Sequence, residues 1–301
     1  MLLRGTGVAL VTPFKNGAVD FDGLRNVIEH VINGGVEYVV SLGTTGETPT
    51  LDEGEMIKVL DFTVQVVSRR VPVVAGFGGY DTRAVVKAIQ NYHFDGVDAI
   101  LSSSPAYNKP TQEGLYQHYM AIAAVSPRPI IIYNVPGRTA KNIKAETTLR
   151  LAHSSDKFIA VKEASGNLVQ CMKIMRDKPE HFQLLSGDDA LALPMISFGA
   201  VGVISVIGNA FPNEFSTMIR HALNGDFVTA TQEHLPLLEI NDLLYVEGNP
   251  AGVKAALKIQ GICRKEVRLP LVSLSDKSYA KLKSEIAIFK NIRVSSFGLQ
   301  V

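Results

Sequence analysis

Eight short apolar segments dominate the first two thirds of the chain, and each is followed by residues with helical spacing of apolar side chains. The predicted strands cover residues 7–11, 37–42, 71–75, 97–101, 129–133, 158–162, 182–185 and 201–206. They are apolar on both faces, as parallel strands covered by helices are. Eight consecutive strand–helix units predict an α/β fold, a closed (β/α)8 TIM barrel, which usually needs about 250 residues.

An open, doubly wound sheet is the alternative arrangement, and its first strand-to-helix turn usually carries G-x-G-x-x-G. Here that turn is Thr12-Pro13-Phe14, without those glycines, so we predict the closed barrel. Helical patterns continue at 228–246, 251–263 and 278–289. We therefore expect a catalytic barrel domain, residues 1–225, and a C-terminal helical appendage, residues 226–301, packed on the barrel or on a neighbouring subunit.

The composition is that of a globular protein with a sizeable core. The 301 residues are 46% hydrophobic and 20% charged, and the formal charge of +1 gives no electrostatic preference for nucleic acid or anionic membranes. No apolar run approaches the ~20 residues that span a bilayer, and the N-terminus lacks a signal-peptide pattern. Cys171 and Cys263 have no metal or disulfide spacing. We expect a soluble, cytoplasmic protein with no nucleic-acid or membrane partner.

Among the predicted strands, only the sixth ends on an amine, that of Lys162. In a TIM barrel the carboxyl ends of the strands form the active-site face. Because partly apolar surroundings disfavour a charged ammonium, we expect an amine there to be available to attack carbonyl carbons. The alternative is a lysine that simply reaches solvent from a strand end.

The turn after the second strand places Thr44 and Thr45 between glycines, in Gly43-Thr44-Thr45-Gly46-Glu47. Glycine allows a tight turn, so that hydroxyl and amide groups can converge on an anion. An ordinary glycine turn at the start of a helix is the alternative.

Three further strand-end side chains could serve the same chemistry. Tyr133, at the end of the fifth strand, could relay protons, and Arg138 in the following loop could bind a carboxylate. Tyr107 lies in the longest of the strand-to-helix loops. Each also has a structural explanation: a core tyrosine, a surface arginine and a loop-packing aromatic.

Other chemistries fit the sequence less well. The seven histidines show no H-x-H or H-x-x-x-H pair, and no P-loop, nucleophile elbow or dinucleotide motif is present. Paired carboxylates for glycoside hydrolysis are not evident either. An amine nucleophile, hydroxyl groups and an arginine together favour Schiff-base chemistry on an oxo acid.

Several motifs in order resemble the dihydrodipicolinate synthase family, within the pyruvate-dependent Schiff-base aldolases and lyases. The matching segments are 39–47, Tyr107, 113–116, 133–139 (Tyr-Asn-Val-Pro-Gly-Arg-Thr), 161–164 (Val-Lys-Glu-Ala), 186–189 (Ser-Gly-Asp-Asp) and 248–250 (Gly-Asn-Pro). The resemblance extends over nearly the whole chain, to about residue 292.

The resemblance implies an imine between Lys162 and pyruvate, no separate cofactor and no metal. The derived enamine would add to L-aspartate 4-semialdehyde, and ring closure would give 4-hydroxy-tetrahydrodipicolinate for lysine and diaminopimelate synthesis. The implied roles are a proton relay and a set of substrate contacts. The relay is Tyr133, Thr44 and Tyr107, with Tyr107 donated by the neighbouring subunit. Thr45 would bind the pyruvate carboxylate, and Arg138 would bind the semialdehyde carboxylate. Gly187 and Ile204 would line the site through their backbones. A homotetramer, a dimer of dimers, is expected.

Relatives on the same barrel use other partners for pyruvate, so two alternatives remain. One is another pyruvate-dependent aldolase, such as N-acetylneuraminate lyase or a keto-deoxy-sugar-acid aldolase; Arg138 favours a small acid aldehyde over a polyol. The other is a non-catalytic relative that binds an oxo acid, although binding alone needs no nucleophile.

One departure from the family concerns feedback inhibition by lysine. Lysine-inhibited members carry a tyrosine before the relay tyrosine and an Asn and a Glu after the third strand. Here those positions hold Ala106, Tyr80 and Ala84, and Glu53 and Met56 stand where histidines are often found. We expect weak or absent inhibition by lysine.

Overall fold

The computed structural model describes residues 3–297, and eight parallel strands form a closed barrel in it. The strands are β1 Gly5–Ala9, β2 Tyr38–Ser41, β3 Val73–Gly76, β4 Ala99–Ser103, β5 Ile130–Asn134, β6 Phe158–Glu163, β7 Gln183–Ser186 and β8 Gly202–Ser205. Each strand pairs with its neighbours in sequence, and β1 pairs with β8 to close the ring. The predicted TIM barrel is confirmed.

The barrel strands have two buried faces, which explains their nearly continuous apolar sequences. Inward side chains, among them Val40, Leu101 and Leu185, form a core inside the barrel. Outward ones, such as Val39 and Ile132, pack against the surrounding helices. Because both faces are dry, each strand is apolar throughout, and this pattern made the strands visible in the sequence.

The first strand lies two residues earlier than predicted, at Gly5–Ala9 instead of 7–11. Its register pairs Gly5 with Gly202 of β8. A Cβ atom on Gly202 would lie 2.0 Å from the Gly5 carbonyl oxygen, so the close approach at this closure depends on glycine. Small residues that close the barrel carry no apolar signal, and the prediction therefore began too late.

Helices surround the barrel in the expected alternation. They are α1 Phe21–Asn33, α2 Glu53–Val67, α3 Thr82–Asn91, α4 Gln112–Val125, α5 Pro136–Thr139, α6 Ala145–Ser154, α7 Leu168–Asp177, α8 Ala192–Ser197 and α9 Pro212–Leu223. A capping box starts α2: Glu55 N–H donates to the Asp52 carboxylate at 2.8 Å, and Asp52 N–H donates to the Glu55 carboxylate at 3.2 Å. A short hairpin pairs Phe14–Lys15 with Ala18–Val19.

Four helices follow the barrel: α10 Phe227–His234, α11 Leu238–Tyr245, α12 Ala251–Ile259 and α13 Asp276–Phe297. The single helix predicted at 228–246 is wrong, because a 3-10 turn, Leu235–Leu237, separates α10 from α11. Pro236 lies in that turn and has no N–H to continue a helical ladder. The helix predicted at 251–263 ends at Ile259, where Gly261 adopts a left-handed φ of 79° and closes the end.

The C-terminal helices pack onto the barrel. Helix α10 lies against α8 and α9, and α12 contacts the turn Ile207–Asn209 that follows β8. From α13, the Phe289 ring meets Phe211 edge-to-face with centroids 5.5 Å apart. These helices therefore lie next to the strand ends that carry the candidate site.

Candidate active site

Lys162 lies inside the barrel at the carboxyl end of β6, and its side chain is 5% exposed. It is directly paired with Tyr133 of β5, and the lysine Nζ atom is 4.3 Å from the centre of the tyrosine ring. Within residues 3–297, no carboxylate lies within ion-pair distance of this amine. The two side chains that the sequence suggested as nucleophile and proton relay are therefore in contact.

The alternation of β6 explains why the lysine points inward and its acidic neighbour does not. Ala160 belongs to the inner core, and Lys162, two residues on, shares that face. Glu163 points outward, where its carboxylate accepts hydrogen bonds from Asn134 at 2.9 Å, Gln170 at 2.8 Å and the Ser165 amide at 3.0 Å. The acid is thus satisfied by amide groups and leaves the amine unpaired.

Gly187 borders the lysine through its backbone. Its N–H donates to the Glu163 carbonyl at 2.8 Å, which fixes the end of β7 against β6. A Cβ atom there would lie 3.1 Å from Lys162 Cε and 2.7 Å from Ala164 Cβ. A side chain would crowd the amine, so glycine keeps this approach open. Ile204 on β8 is 1% exposed and lies in the inner core with Tyr133.

The Thr44–Thr45 segment forms a 3-10 turn, Thr44–Gly46, at the end of β2. Gly46 N–H donates to the Gly43 carbonyl at 3.0 Å, as the predicted glycine turn requires. Thr45 is buried, and its hydroxyl oxygen accepts a hydrogen bond from the Asn249 amide at 3.1 Å. Thr44 lines the cavity described next.

A cavity of about 580 Å³ opens at this end of the barrel, and Thr44, Tyr133 and Arg138 line it together. Arg138 is held on the short helix α5, which begins at Pro136. Its guanidinium has no ion-pair partner among the residues that the structure describes. An unpaired guanidinium at the rim is suited to bidentate binding of a carboxylate.

Tyr107 is not brought together with Tyr133 within this chain. Its side chain is 93% exposed, its backbone has a left-handed φ of 68°, and the adjacent Ala106 lines the cavity instead. The loop therefore presents the tyrosine ring to the outside of this chain.

Two contributors were missed as site elements: Asn249, which holds Thr45, and Lys254 of α12, which pairs with Glu47 in the same turn. Lys254 stands alone in the apolar run Ala251–Leu257, and a charge in such a run is a signal of a buried partner. Nothing local in the sequence indicated which residue that partner would be.

In the part of the chain that the structure describes, no cluster of three or more His, Cys, Asp or Glu side chains could hold a metal ion. Over the same residues, no helix has the length and apolarity needed to cross a membrane.

Comparison with known proteins decides the family. The model of the dihydrodipicolinate synthetase family matches residues 2–288. The chain belongs to this family. A relative from Parabacteroides distasonis, 4-hydroxy-tetrahydrodipicolinate synthase, is 50% identical over 282 residues, which are 93% of this chain and 95% of the relative. The enzyme of the same name from Koribacter versatilis is 49% identical over 98% of this chain and its own full length.

A solved structure supports the same assignment. Dihydrodipicolinate synthase from Aquifex aeolicus superposes with a TM-score of 0.93 at 41% identity, covering 95% of this chain and 98% of that one. Members of this family use a lysine Schiff base with pyruvate and need no separate cofactor. The resemblance inferred from the strand-end motifs is confirmed.

Proposed function

We propose that Lys162 is the nucleophile with which this chain condenses pyruvate and L-aspartate 4-semialdehyde to 4-hydroxy-tetrahydrodipicolinate, in lysine and diaminopimelate biosynthesis. The observation that carries the proposal is the buried amine of Lys162. It lies against the Tyr133 ring at the end of β6 and lacks a carboxylate partner among the described residues. An amine so placed can attack a ketone, whereas a lysine that served only solubility would be exposed.

The chemistry proceeds by covalent catalysis. The Lys162 amine adds to the pyruvate ketone and, with loss of water, forms an imine; loss of a methyl proton then gives an enamine. The nucleophilic carbon of the enamine forms a carbon–carbon bond with the aldehyde carbon of the semialdehyde, and the aldehyde oxygen takes up a proton. The substrate's own amino group then attacks the imine carbon, closes the ring and releases the lysine amine.

Hydroxyl groups carry the protons in this scheme. Tyr133 is in contact with Lys162, and Thr44 lines the same cavity, so both are suitable for a relay. Thr45 binds the pyruvate carboxylate, Arg138 binds the carboxylate of the semialdehyde, and the backbones of Gly187 and Ile204 border pyruvate. The position of the Gly187 backbone beside the Lys162 side chain and the unpaired guanidinium of Arg138 support these assignments.

The third relay member, Tyr107, comes from a neighbouring subunit in this proposal. The outward position of the Tyr107 side chain supports this, because within its own chain it is 93% exposed. The assembly that follows is a homotetramer made of two tight dimers. Sedimentation analysis tests it directly: a monomer that retains full activity would exclude donation of Tyr107 between subunits.

We also propose that the protein works in the cytoplasm, and that residues 1–225 form the barrel domain and residues 226–301 a helical domain. The N-cap at Asp226, whose carboxylate accepts from Thr229 N–H at 3.0 Å, supports a boundary there. Because α12 contacts the barrel, we expect each part to stabilise the other. Limited proteolysis of the native protein should therefore not cleave the chain near residue 226.

Borohydride trapping tests the proposed function. Incubation with pyruvate and borohydride, followed by peptide mass analysis, should give a reduced pyruvyl adduct on Lys162, and aspartate semialdehyde should deplete it. Depletion by N-acetylmannosamine instead would move the protein to the sugar-acid lyases. Absence of any adduct would leave an oxo-acid-binding protein.

A further inference from the structure

A buried ion pair connects the C-terminal helices to the Thr44–Thr45 turn. Lys254 of α12 donates to the Glu47 carboxylate, and both side chains are 0% exposed. The same ammonium donates to the Glu266 carbonyl at 2.8 Å and lies 4.1 Å from the centre of the Phe14 ring. The other carboxylate oxygen of Glu47 accepts from the Arg268 backbone N–H at 3.0 Å. Both carboxylate oxygens of Glu47 are therefore bound by residues that follow the barrel strands in the chain.

Burying such a pair costs free energy, because both charged groups lose their hydration. Burial lowers the pKa of Lys254, and the Glu47 carboxylate opposes that effect. Replacement of a buried ion pair by apolar residues of similar volume is often neutral or stabilising, so stability alone does not account for the pair. What distinguishes an ion pair from an apolar contact is that it fixes the direction and position of the groups it joins.

The group fixed here is the turn that carries two of the proposed site residues. Glu47 joins the 3-10 turns Thr44–Gly46 and Thr48–Thr50 and adopts a left-handed φ of 54°, which is uncommon for a residue other than glycine. Its N–H donates to the Thr44 carbonyl at 3.1 Å, and its carbonyl accepts from Thr50 at 2.9 Å. The conformation of Glu47 therefore sets the orientation of Thr44 and Thr45.

A second contact from the same C-terminal region reaches the turn. The Asn249 amide, two residues before α12, hydrogen-bonds the Thr45 hydroxyl at 3.1 Å. In addition, the Arg268 guanidinium makes two 2.6 Å contacts with Glu55 of α2 and so fastens the segment that carries its N–H. The turn is thus restrained at its hydroxyl and at its carboxylate by one neighbouring region.

We propose that Lys254 and Glu47 are positioning residues for the pyruvate carboxylate: their ion pair holds the turn so that Thr45 meets the substrate. The inference rests on the proposed role of Thr45. Neither side chain touches substrate in this scheme, and both act through the turn. Loss of the pair should therefore weaken pyruvate binding more than it slows the bound complex.

The test uses a paired replacement, Glu47→Gln with Lys254→Met, in the full-length protein. Removing both charges together avoids an uncompensated buried ion, so the variant should fold even if each single replacement does not. The matched control makes the same exchanges at an exposed pair, Glu239→Gln with Lys281→Met, whose charged atoms are 2.5 Å apart on the outer helices.

The expected result is a KM for pyruvate raised about tenfold in the buried-pair variant, with kcat changed by less than about threefold and the KM for the semialdehyde nearly unchanged. Hydrogen exchange at the amides of residues 43–48 should be faster in that variant. The control pair should leave both readouts as in the native protein. An unchanged pyruvate KM in a folded variant, or a loss confined to kcat, would overturn the inference.

The two proposals fail in different ways. If the native protein forms the pyruvyl adduct on Lys162 but the pyruvate KM ignores the buried pair, only the positioning role is wrong. If the native protein forms no adduct, the proposed function is wrong. Independently of both results, unchanged hydrogen exchange at residues 43–48 in the paired variant would show that the ion pair of Glu47 and Lys254 does not restrain the turn.

Discussion

Two lysines are buried near the mouth of the barrel, and they are buried in opposite ways. Lys254 is fully buried, and its ammonium is engaged by the Glu47 carboxylate and the Glu266 carbonyl. Lys162 is 5% exposed, faces a tyrosine ring and has no ion-pair partner among the described residues. Burial alone thus does not mark a nucleophile. An amine paired with a carboxylate is structural, whereas an amine that has no such partner and contacts a cavity-lining tyrosine is available for chemistry.

Replacement of Lys162 by alanine should have the largest effect on activity and almost none on folding. Because the imine cannot form, turnover should fall by a factor on the order of 10⁴ or more. Borohydride with pyruvate should label no peptide, and the thermal midpoint should remain close to that of the native protein. Retained turnover would reject the covalent mechanism.

The opposite pattern is expected for Lys254→Met alone. This change leaves the Glu47 carboxylate buried without its cation, and breaking one side of a buried pair typically costs about 3–5 kcal/mol. Urea unfolding should show the loss as a lower midpoint with a similar slope. A fully stable single variant would mean that Glu47 is neutralised by protonation or reached by water.

The sequence predicted one of these two lysines and not the other, for a physical reason. Lys162 ends an apolar strand, and strand alternation by itself places it with Tyr133 on the inner face. The partner of Lys254 lies 207 residues away, so only the tertiary structure brings the pair together. Local patterns identify periodic elements and their ends, whereas partners between remote elements depend on packing.

The same distinction explains the errors in the fold. The barrel could be predicted because every strand repeats one pattern of burial. The break between α10 and α11 depends on a single residue, Pro236, within an otherwise helical pattern. A single residue of this kind gives no repeating signal in the sequence.

His118 on α4 shows a third way to bury a base, which is to keep it uncharged. It is 3% exposed, its Nδ1 is 2.9 Å from the Thr82 hydroxyl, and burial lowers its pKa from 6.5 to about 4. Because the folded-state pKa is the lower one, the unfolded chain binds more protons between these values. The contribution of His118 to the free energy of unfolding is therefore fully present above about pH 6.5 and is lost as the pH falls toward 4.

Comparison of the native protein with His118→Gln isolates this contribution. Between pH 6.5 and 4, the free energy of unfolding should fall less in the variant than in the native protein, by at most about 3 kcal/mol. Denaturant unfolding at several pH values measures this difference. All other residues are the same in both proteins, so their contributions cancel in this comparison. Identical pH profiles would show that His118 is hydrated in solution.

A smaller effect, confined to one substrate, is expected for Arg138→Lys. A lysine keeps the charge but loses bidentate geometry, so the KM for aspartate semialdehyde should rise about 10-fold to 100-fold. Trapping of pyruvate on Lys162 should be unaffected, because that step precedes semialdehyde binding. A comparable rise in the pyruvate KM would place Arg138 at the first substrate instead.

The smallest expected effect is that of added L-lysine on the rate. Glu53, Met56, Tyr80 and Ala106 all border the cavity that contains Tyr133, yet only Glu53 among these four is charged. Free L-lysine brings one carboxylate and two ammonium groups, and desolvating them without matching partners is unfavourable. Initial rates and the thermal midpoint should therefore be unchanged at sub-millimolar lysine, with pyruvate as the positive control for a ligand-induced shift. Inhibition in that range would mean that side chains of a neighbouring subunit complete a lysine-binding site. Catalysis at this end of the barrel would then depend on bound lysine as well as on the two buried lysine side chains.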